Sequence, residues 1–106
     1  MQTWTPAEVA AFLRDSEPHS LQLADVREPW EYDIVYLEGS LLIPLAHLPE
    51  QMDQLDKNIP VAVICHHGIR SAHACYFLER AGFKTINISG GIDLWARTLD
   101  PEMALY

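Results

Sequence analysis

The sequence has little positive charge. It contains seven lysines and arginines against fifteen aspartates and glutamates, which gives a formal net charge of −8. Such an acidic surface repels the phosphates of nucleic acids and of anionic lipids, so we expect neither as a partner. A small anionic substrate stays compatible with this composition, because the local field of a site decides what it binds.

Cysteines and long apolar runs are also scarce. Cys65 and Cys75 are the only cysteines in 106 residues, which is too few for a disulfide framework and indicates reduced thiols. No apolar run approaches the ~20 residues of a membrane helix. The N-terminal segment, Met1–Pro6, has neither the basic nor the apolar region of a secretion signal. We therefore expect a cytoplasmic protein that has no membrane partner.

What is present suits a globular domain. Apolar residues make up 49% of the chain and charged residues 21%, which argues against disorder. The length fits one domain, which we place at residues 1–106, with about residues 100–106 as a loose C-terminal extension. Nothing in the pattern suggests an obligate dimer, so we expect a monomer or a weak dimer.

Short apolar segments alternate with helical patterns along the whole chain. This alternation predicts an α/β fold with a mostly parallel sheet and helices on both faces. The predicted strands are Leu21–Val26, Leu41–Ile43, Val61–Ile64 and Thr85–Ile88. The predicted helices begin at Pro6, Trp30, Leu48, Ser71 and Ile92.

The chemistry is concentrated where the third predicted strand ends. Cys65 follows Val61–Ile64 directly, and a loop with Gly68 and Arg70 leads into the helix predicted from Ser71. Inward-facing loop amides, the positive end of the helix and the arginine all favour a thiolate over a thiol. A buried core cysteine is the alternative, but the loop makes a nucleophile the better interpretation.

At this point the chain resembles the rhodanese family of sulfurtransferases. The loop Cys65-His-His-Gly-Ile-Arg70 has the family's usual form, a cysteine and an arginine with a glycine between them at fixed spacing. Three further segments match in the right order: Asp25-Val-Arg-Glu-Pro-Trp-Glu-Tyr32, Glu38-Gly-Ser-Leu-Leu-Ile-Pro44 and Gly82-Phe83 through Gly90-Gly91-Ile-Asp-Leu-Trp95. The resemblance therefore covers nearly the whole chain.

The resemblance implies a rhodanese-like fold of about five strands and a defined reaction. Cys65 would take the outer sulfur of thiosulfate or a similar anionic donor, hold it as a persulfide, and pass it to cyanide or a thiol, including a protein thiol. No cofactor and no metal are implied. The residues assigned to the site are Cys65 as the catalytic residue; His66, His67, Gly68, Ile69, Arg70 and Ser71 around the substrate; and Asp25 and Arg27 as a supporting ion pair.

Some residues depart from the family pattern. Val35-Tyr36-Leu37 replaces the usual Gly-His-Ile, and Leu42 replaces an asparagine, so small changes in packing are expected. His66 and His67 are unusual neighbours for the cysteine. They either tune the thiolate and attract an anionic donor when protonated, or they are solvent-facing loop residues.

Three other functions fit parts of the pattern. Cysteine phosphatases resemble it, but their loop is one residue longer than the four residues between Cys65 and Arg70. A persulfide carrier or regulatory module for a partner protein would have the same sequence. A metal site is disfavoured, because adjacent histidines rarely bind one ion and no closed zinc spacing is present; its ligands would be Cys65, His66, His67, His73 and Cys75.

Overall fold

All five strands of the protein lie in one parallel sheet. The computed structural model describes residues 1–106. The strand order is β1-β5-β4-β2-β3, so β4, which precedes Cys65, is the central strand. The strands are β1 (Gln2–Trp4), β2 (Gln22–Asp25), β3 (Leu41–Leu42), β4 (Val61–Ile64) and β5 (Thr85–Ile88); the helices are α1 (Pro6–Asp15), α2 (Pro29–Ile34), α3 (Leu48–Gln51), α4 (Ile69–Arg80) and α5 (Gly91–Thr98), with short 3₁₀ turns at Leu45–His47 and Met52–Gln54.

The core has two layers because successive side chains of a strand point to opposite faces. Val61 and Val63 of β4 pack in one cluster with residues of α3 and α4. Ala62 and Ile64 pack in the other cluster with residues of α1 and α5. All four β4 residues are fully buried, which explains why this strand is a continuous apolar run rather than an alternating one. The predicted α/β fold, with a parallel sheet and helices on both faces, is confirmed.

The largest omission from the sequence prediction is β1. Gln2–Trp4 pairs in parallel with β5 at the edge of the sheet, with Gln2 opposite Ile86 and Trp4 opposite Ile88. Its first two residues are exposed, so the segment lacks the apolar pattern by which buried strands are found. The pairing partner, rather than local sequence, determines this strand.

Several helix boundaries also differ from the prediction. Helix α4 begins at Ile69, two residues before Ser71, because Gly68 in the left-handed conformation starts it. The helix predicted over Leu48–Leu55 is α3 followed by a 3₁₀ turn. Helix α1 begins as expected, with a capping box between Thr5 and Glu8 and a proline in the first turn.

The C-terminal segment differs most from the expectation of a loose extension. Met103 packs against the α1–α5 cluster, and the Tyr106 side chain forms hydrogen bonds with Arg27 and Glu31. Residues 100–106 therefore return to the body of the protein and place an aromatic ring beside the cysteine loop.

None of the helices combines the length and the apolar character needed to cross a bilayer.

Candidate active site at the carboxyl end of strand β4

Cys65 lies where β4 ends, and its thiol is enclosed by the loop that follows. The residue is 1% exposed. Its Sγ accepts a hydrogen bond from the Gly68 backbone N–H at 3.0 Å and lies 3.3 Å from Ser71 Oγ, to which the thiol donates. A sulfur anion at this position would thus find a backbone donor already directed at it.

The loop turns this tightly because Gly68 has a φ of 104°, in the left-handed region that residues with a side chain resist. A Cβ at this position would also lie 3.3 Å from the backbone nitrogen of Gly90. The positive φ therefore favours glycine here, and the tight Cβ contact adds to that preference.

Helix α5 holds the other side of the loop through its first backbone amides. Ile92 N–H donates to the Cys65 carbonyl at 2.8 Å, and Asp93 N–H donates to the His66 carbonyl at 3.1 Å. Gly91 permits this approach, because a Cβ there would overlap both carbonyl groups. The Gly90-Gly91 pair therefore starts α5 and also allows the helix to hold the cysteine loop in position.

Asn87 is a site residue that the sequence prediction missed. Its Oδ1 accepts a hydrogen bond from Ser71 Oγ at 2.5 Å, and its Nδ2 donates to the Gly68 carbonyl at 3.2 Å. Asn87 thereby connects β5 to both ends of the loop turn. The available signal was an amide side chain in a strand that is buried throughout, since such a group needs hydrogen-bond partners.

Arg70 is held by Glu31 of α2, which the sequence prediction also missed. Arg70 Nη1 and Nη2 donate to the two carboxylate oxygens of Glu31 at 2.7 and 2.8 Å. Hydrogen bonds from Arg70 lower the pKa of Glu31, which is 3% exposed, from 4.5 to about 2. The same bonds raise the pKa of Arg70. Because Glu31 engages both terminal nitrogens of Arg70, this geometry favours a role for Arg70 in closing the loop over one in holding an anionic donor.

Asp25 and Arg27 form an ion pair that is fully buried beneath this contact. Arg27 Nη2 lies 2.7 Å from Asp25 Oδ2, and both side chains are 0% exposed. Arg27 Nη1 also donates to Tyr106 Oη, which in turn donates to Glu31 Oε1 at 2.8 Å. The predicted ion pair is present, and the network connects it through Glu31 to Arg70 of the loop.

The Glu31 carboxylate makes acid stability testable. Because the fold lowers its pKa from 4.5 to about 2, its contribution is complete above pH 4.5 and is lost as pH falls towards 2. We expect Glu31→Gln to lower the free energy of unfolding at pH 7 by about 2 kcal/mol. The difference in the free energy of unfolding between the variant and the native protein should become smaller when urea unfolding is measured at successively lower pH, from pH 5 to 2.5. Glu38→Gln, at an exposed position, is the control, and a gap that is constant with pH would contradict the assignment.

The two histidines lie in different environments. The His66 ring stacks on Tyr106 with centroids 3.9 Å apart and planes at 7°, and it contacts the His67 ring at 3.9 Å. Burial, followed by the nearby His67, lowers the pKa of His66. The His67 side chain is 60% exposed, with Nε2 3.9 Å from Asp93 Oδ2. Only His67 thus matches the interpretation as a solvent-facing residue.

The predicted site residues fall into two groups. Gly68 and Ser71 each contact the Cys65 sulfur, whereas Ile69 is 71% exposed. Cys75 lies in the core, where burial raises the pKa of its thiol to about 11. Its position on the buried face of α4 indicates a structural role.

The loop, the central parallel strand and the buried Asp-Arg pair together match the expectation raised by the sequence motifs. The family described as the Rhodanese-like domain matches residues 5–98. The chain belongs to this family. That match includes the whole of the cysteine loop and the start of α5 that holds it.

The chain is also similar to two proteins whose names refer to sulfur transfer. MoeZ of Mycobacterium tuberculosis, named as an adenylyltransferase/sulfurtransferase, is 36% identical over 107 residues that cover 98% of this chain and 27% of MoeZ. YtwF of Bacillus subtilis, named as a sulfurtransferase, is 37% identical over 82 residues, 77% of this chain and 80% of YtwF. The chain therefore spans about a quarter of MoeZ and most of YtwF.

A solved structure shows the same fold. The crystal structure of a rhodanese-like domain protein from Staphylococcus aureus superimposes with a TM-score of 0.86 at 29% identity, covering 100% of this chain and 99% of that one. The five-strand parallel architecture is thus that of the rhodanese-like domain.

Proposed function

We propose that this rhodanese-like chain is a sulfurtransferase that carries a sulfane sulfur on Cys65. The observation that carries the proposal is the position of Sγ, at the end of a buried central strand with the Gly68 N–H directed at it. Two relatives named for sulfur transfer, MoeZ and YtwF, support the same reaction class.

The proposed reaction has two balanced displacement steps. The Cys65 thiolate attacks the outer sulfur of thiosulfate or a similar donor, the S–S bond of the donor breaks, and sulfite leaves with the bonding electron pair. The persulfide that remains on Cys65 is then attacked at its outer sulfur by cyanide or a thiolate. Thiocyanate or a new persulfide leaves, and the Cys65 thiolate is restored.

The narrow setting of Cys65 suits a donor with a terminal sulfur. Because the residue is 1% exposed, an incoming group must present one small atom rather than a tetrahedral centre. The four residues between Cys65 and Arg70 enclose a smaller space than a loop one residue longer. Both features favour sulfur transfer over hydrolysis of a phosphate ester, which is the rival reaction.

The loop backbone supplies donors for the charge on the persulfide. Apart from Gly68, the amides from His66 to Arg70 donate no hydrogen bond to another protein group. Donors already fixed in position stabilise developing negative charge without reorganisation. In this proposal these amides bind the outer sulfur, while Arg70, held by Glu31, keeps the loop closed around it.

Two assays on one preparation distinguish sulfur transfer from the rival. With thiosulfate and cyanide we expect steady formation of thiocyanate, and with thiosulfate and a dithiol we expect release of sulfide. A chromogenic aryl phosphate should be turned over no faster than in a blank. Robust phosphate release that disappears in Cys65→Ser would overturn the proposal in favour of a phosphatase.

A further inference from the structure

A second group of side chains with ligand chemistry lies on the outer side of the cysteine loop. His66, His67 and Asp93 each present one nitrogen or oxygen atom, and these three atoms all lie within 4.8 Å of one another. His66 Nε2 is buried and has no hydrogen-bond partner. An imidazole nitrogen left in that state is costly unless a further group satisfies it.

The loop overcomes the usual objection to adjacent histidines. In an extended strand, neighbouring side chains point in opposite directions, whereas here the two rings lie side by side with centroids 3.9 Å apart and planes at 31°. The hydrogen bond from Asp93 N–H to the His66 carbonyl fixes the third residue beside them. The His67 side chain is 60% exposed, and its Nε2 lies 3.9 Å from Asp93 Oδ2.

The carboxylate is held ready in a similar way. Arg97 Nε donates to Asp93 Oδ2 at 2.9 Å, which orients the side chain and leaves Oδ1 without a protein donor. An outer group that orients a ligand in this manner is common around metal ions in proteins. Asp93 is the one acidic ligand of the cluster, and its ion pair with Arg97 offsets part of its negative charge.

We propose that His66, His67 and Asp93 form a binding site for a divalent metal that takes imidazole ligands, for which Zn²⁺ is the probe. Two imidazoles and one carboxylate favour zinc over Mg²⁺ or Ca²⁺, which take oxygen ligands. Three protein ligands leave a fourth position for water. The site uses neither the Cys65 thiol nor a loop amide, so it does not depend on the proposed sulfur-transfer function.

Titration calorimetry with Zn²⁺ alone, on protein that carries no histidine tag, tests this site. We expect one ion per chain, no binding of Mg²⁺, and a dissociation constant weakened about tenfold or more by His67→Ala or Asp93→Asn. His67 is exposed, so removing its side chain leaves the fold intact. His47→Ala is the matched control, since it removes an exposed histidine that lies 3.6 Å from a carboxylate elsewhere, and its affinity should equal that of the native protein.

Cys65→Ser separates this site from zinc bound by the thiolate. We expect the variant to keep native affinity for Zn²⁺. Loss of binding in Cys65→Ser, undiminished binding in the His67→Ala/Asp93→Asn double variant, or no saturable binding by the native protein would each overturn the proposal. None of these outcomes alters the test of sulfur transfer, because that test reads products formed from thiosulfate.

Discussion

Replacing Cys65 with serine is expected to reduce thiocyanate formation from thiosulfate and cyanide by roughly a thousandfold or more. The serine hydroxyl can accept the Gly68 N–H bond that Sγ accepts at 3.0 Å, so the loop should keep its shape. What the variant loses is the sulfur nucleophile, and with it the persulfide. Steady-state rates in the thiosulfate and cyanide assay, with circular dichroism to verify the fold, measure the effect.

Cys75 provides the matched control for this experiment. It is the other thiol of the chain, is 0% exposed, and has a pKa raised to about 11 by burial. We expect Cys75→Ala to keep its rate within about twofold of the native protein while losing about 1 kcal/mol or more of stability. If Cys75→Ala were inactive and Cys65→Ser were active, the nucleophile would be Cys75, and the assignment of Cys65 would be wrong.

Arg27→Met is expected to lower the free energy of unfolding by about 3–5 kcal/mol. The change leaves Asp25 as a buried carboxylate that has lost its guanidinium partner, since both side chains are 0% exposed. It also removes one of the two hydrogen bonds of the Tyr106 hydroxyl and leaves the bond to Glu31. Urea unfolding followed by circular dichroism measures this decrease in the free energy of unfolding.

Two comparisons show whether burial of the charge is the cause. Arg14→Met breaks a pair with Asp15 whose side chains are 70% and 66% exposed, and it should cost no more than about 1 kcal/mol. The double variant Asp25→Asn/Arg27→Met removes both buried charges and should recover part of the loss. A double variant less stable than Arg27→Met would show that packing, rather than unpaired charge, is responsible.

The parts of the site that the sequence predicts are those built from neighbouring residues. The apolar segment of β4, Cys65, the glycine turn and the start of α4 lie within one continuous segment, where local backbone chemistry determines the geometry. The resemblance to rhodaneses added Asp25 and Arg27, whose buried pair the structure shows. Their supporting role in the reaction stays a prediction.

The parts that the sequence did not predict depend on contacts between distant segments. Glu31 lies 39 positions before Arg70, and Asn87 lies 16 positions after Ser71. No local pattern indicates either pairing, although a polar residue in a buried strand was a usable signal for Asn87. The docking of Tyr106 belongs to the same class, since its partner Arg27 is 79 positions away.

The two histidines show a further limit of prediction from the sequence. Their adjacency in sequence argued against a shared ion, because that argument assumes regular backbone geometry. In the structure the chain turns at Gly68, and the Asp93 N–H of α5 donates to the His66 carbonyl. Both histidine rings therefore lie beside Asp93. Whether two adjacent residues in an irregular loop can share a ligand therefore depends on the conformation of the backbone.

The most direct test of the account is mass spectrometry of the protein after incubation with thiosulfate. We predict one added sulfur atom per chain, located by peptide mapping on Cys65, absent from Cys75, and removed when cyanide is added. Folded protein that gains no sulfur at Cys65 from thiosulfate or from several other sulfane donors would contradict the proposal that this chain transfers sulfur.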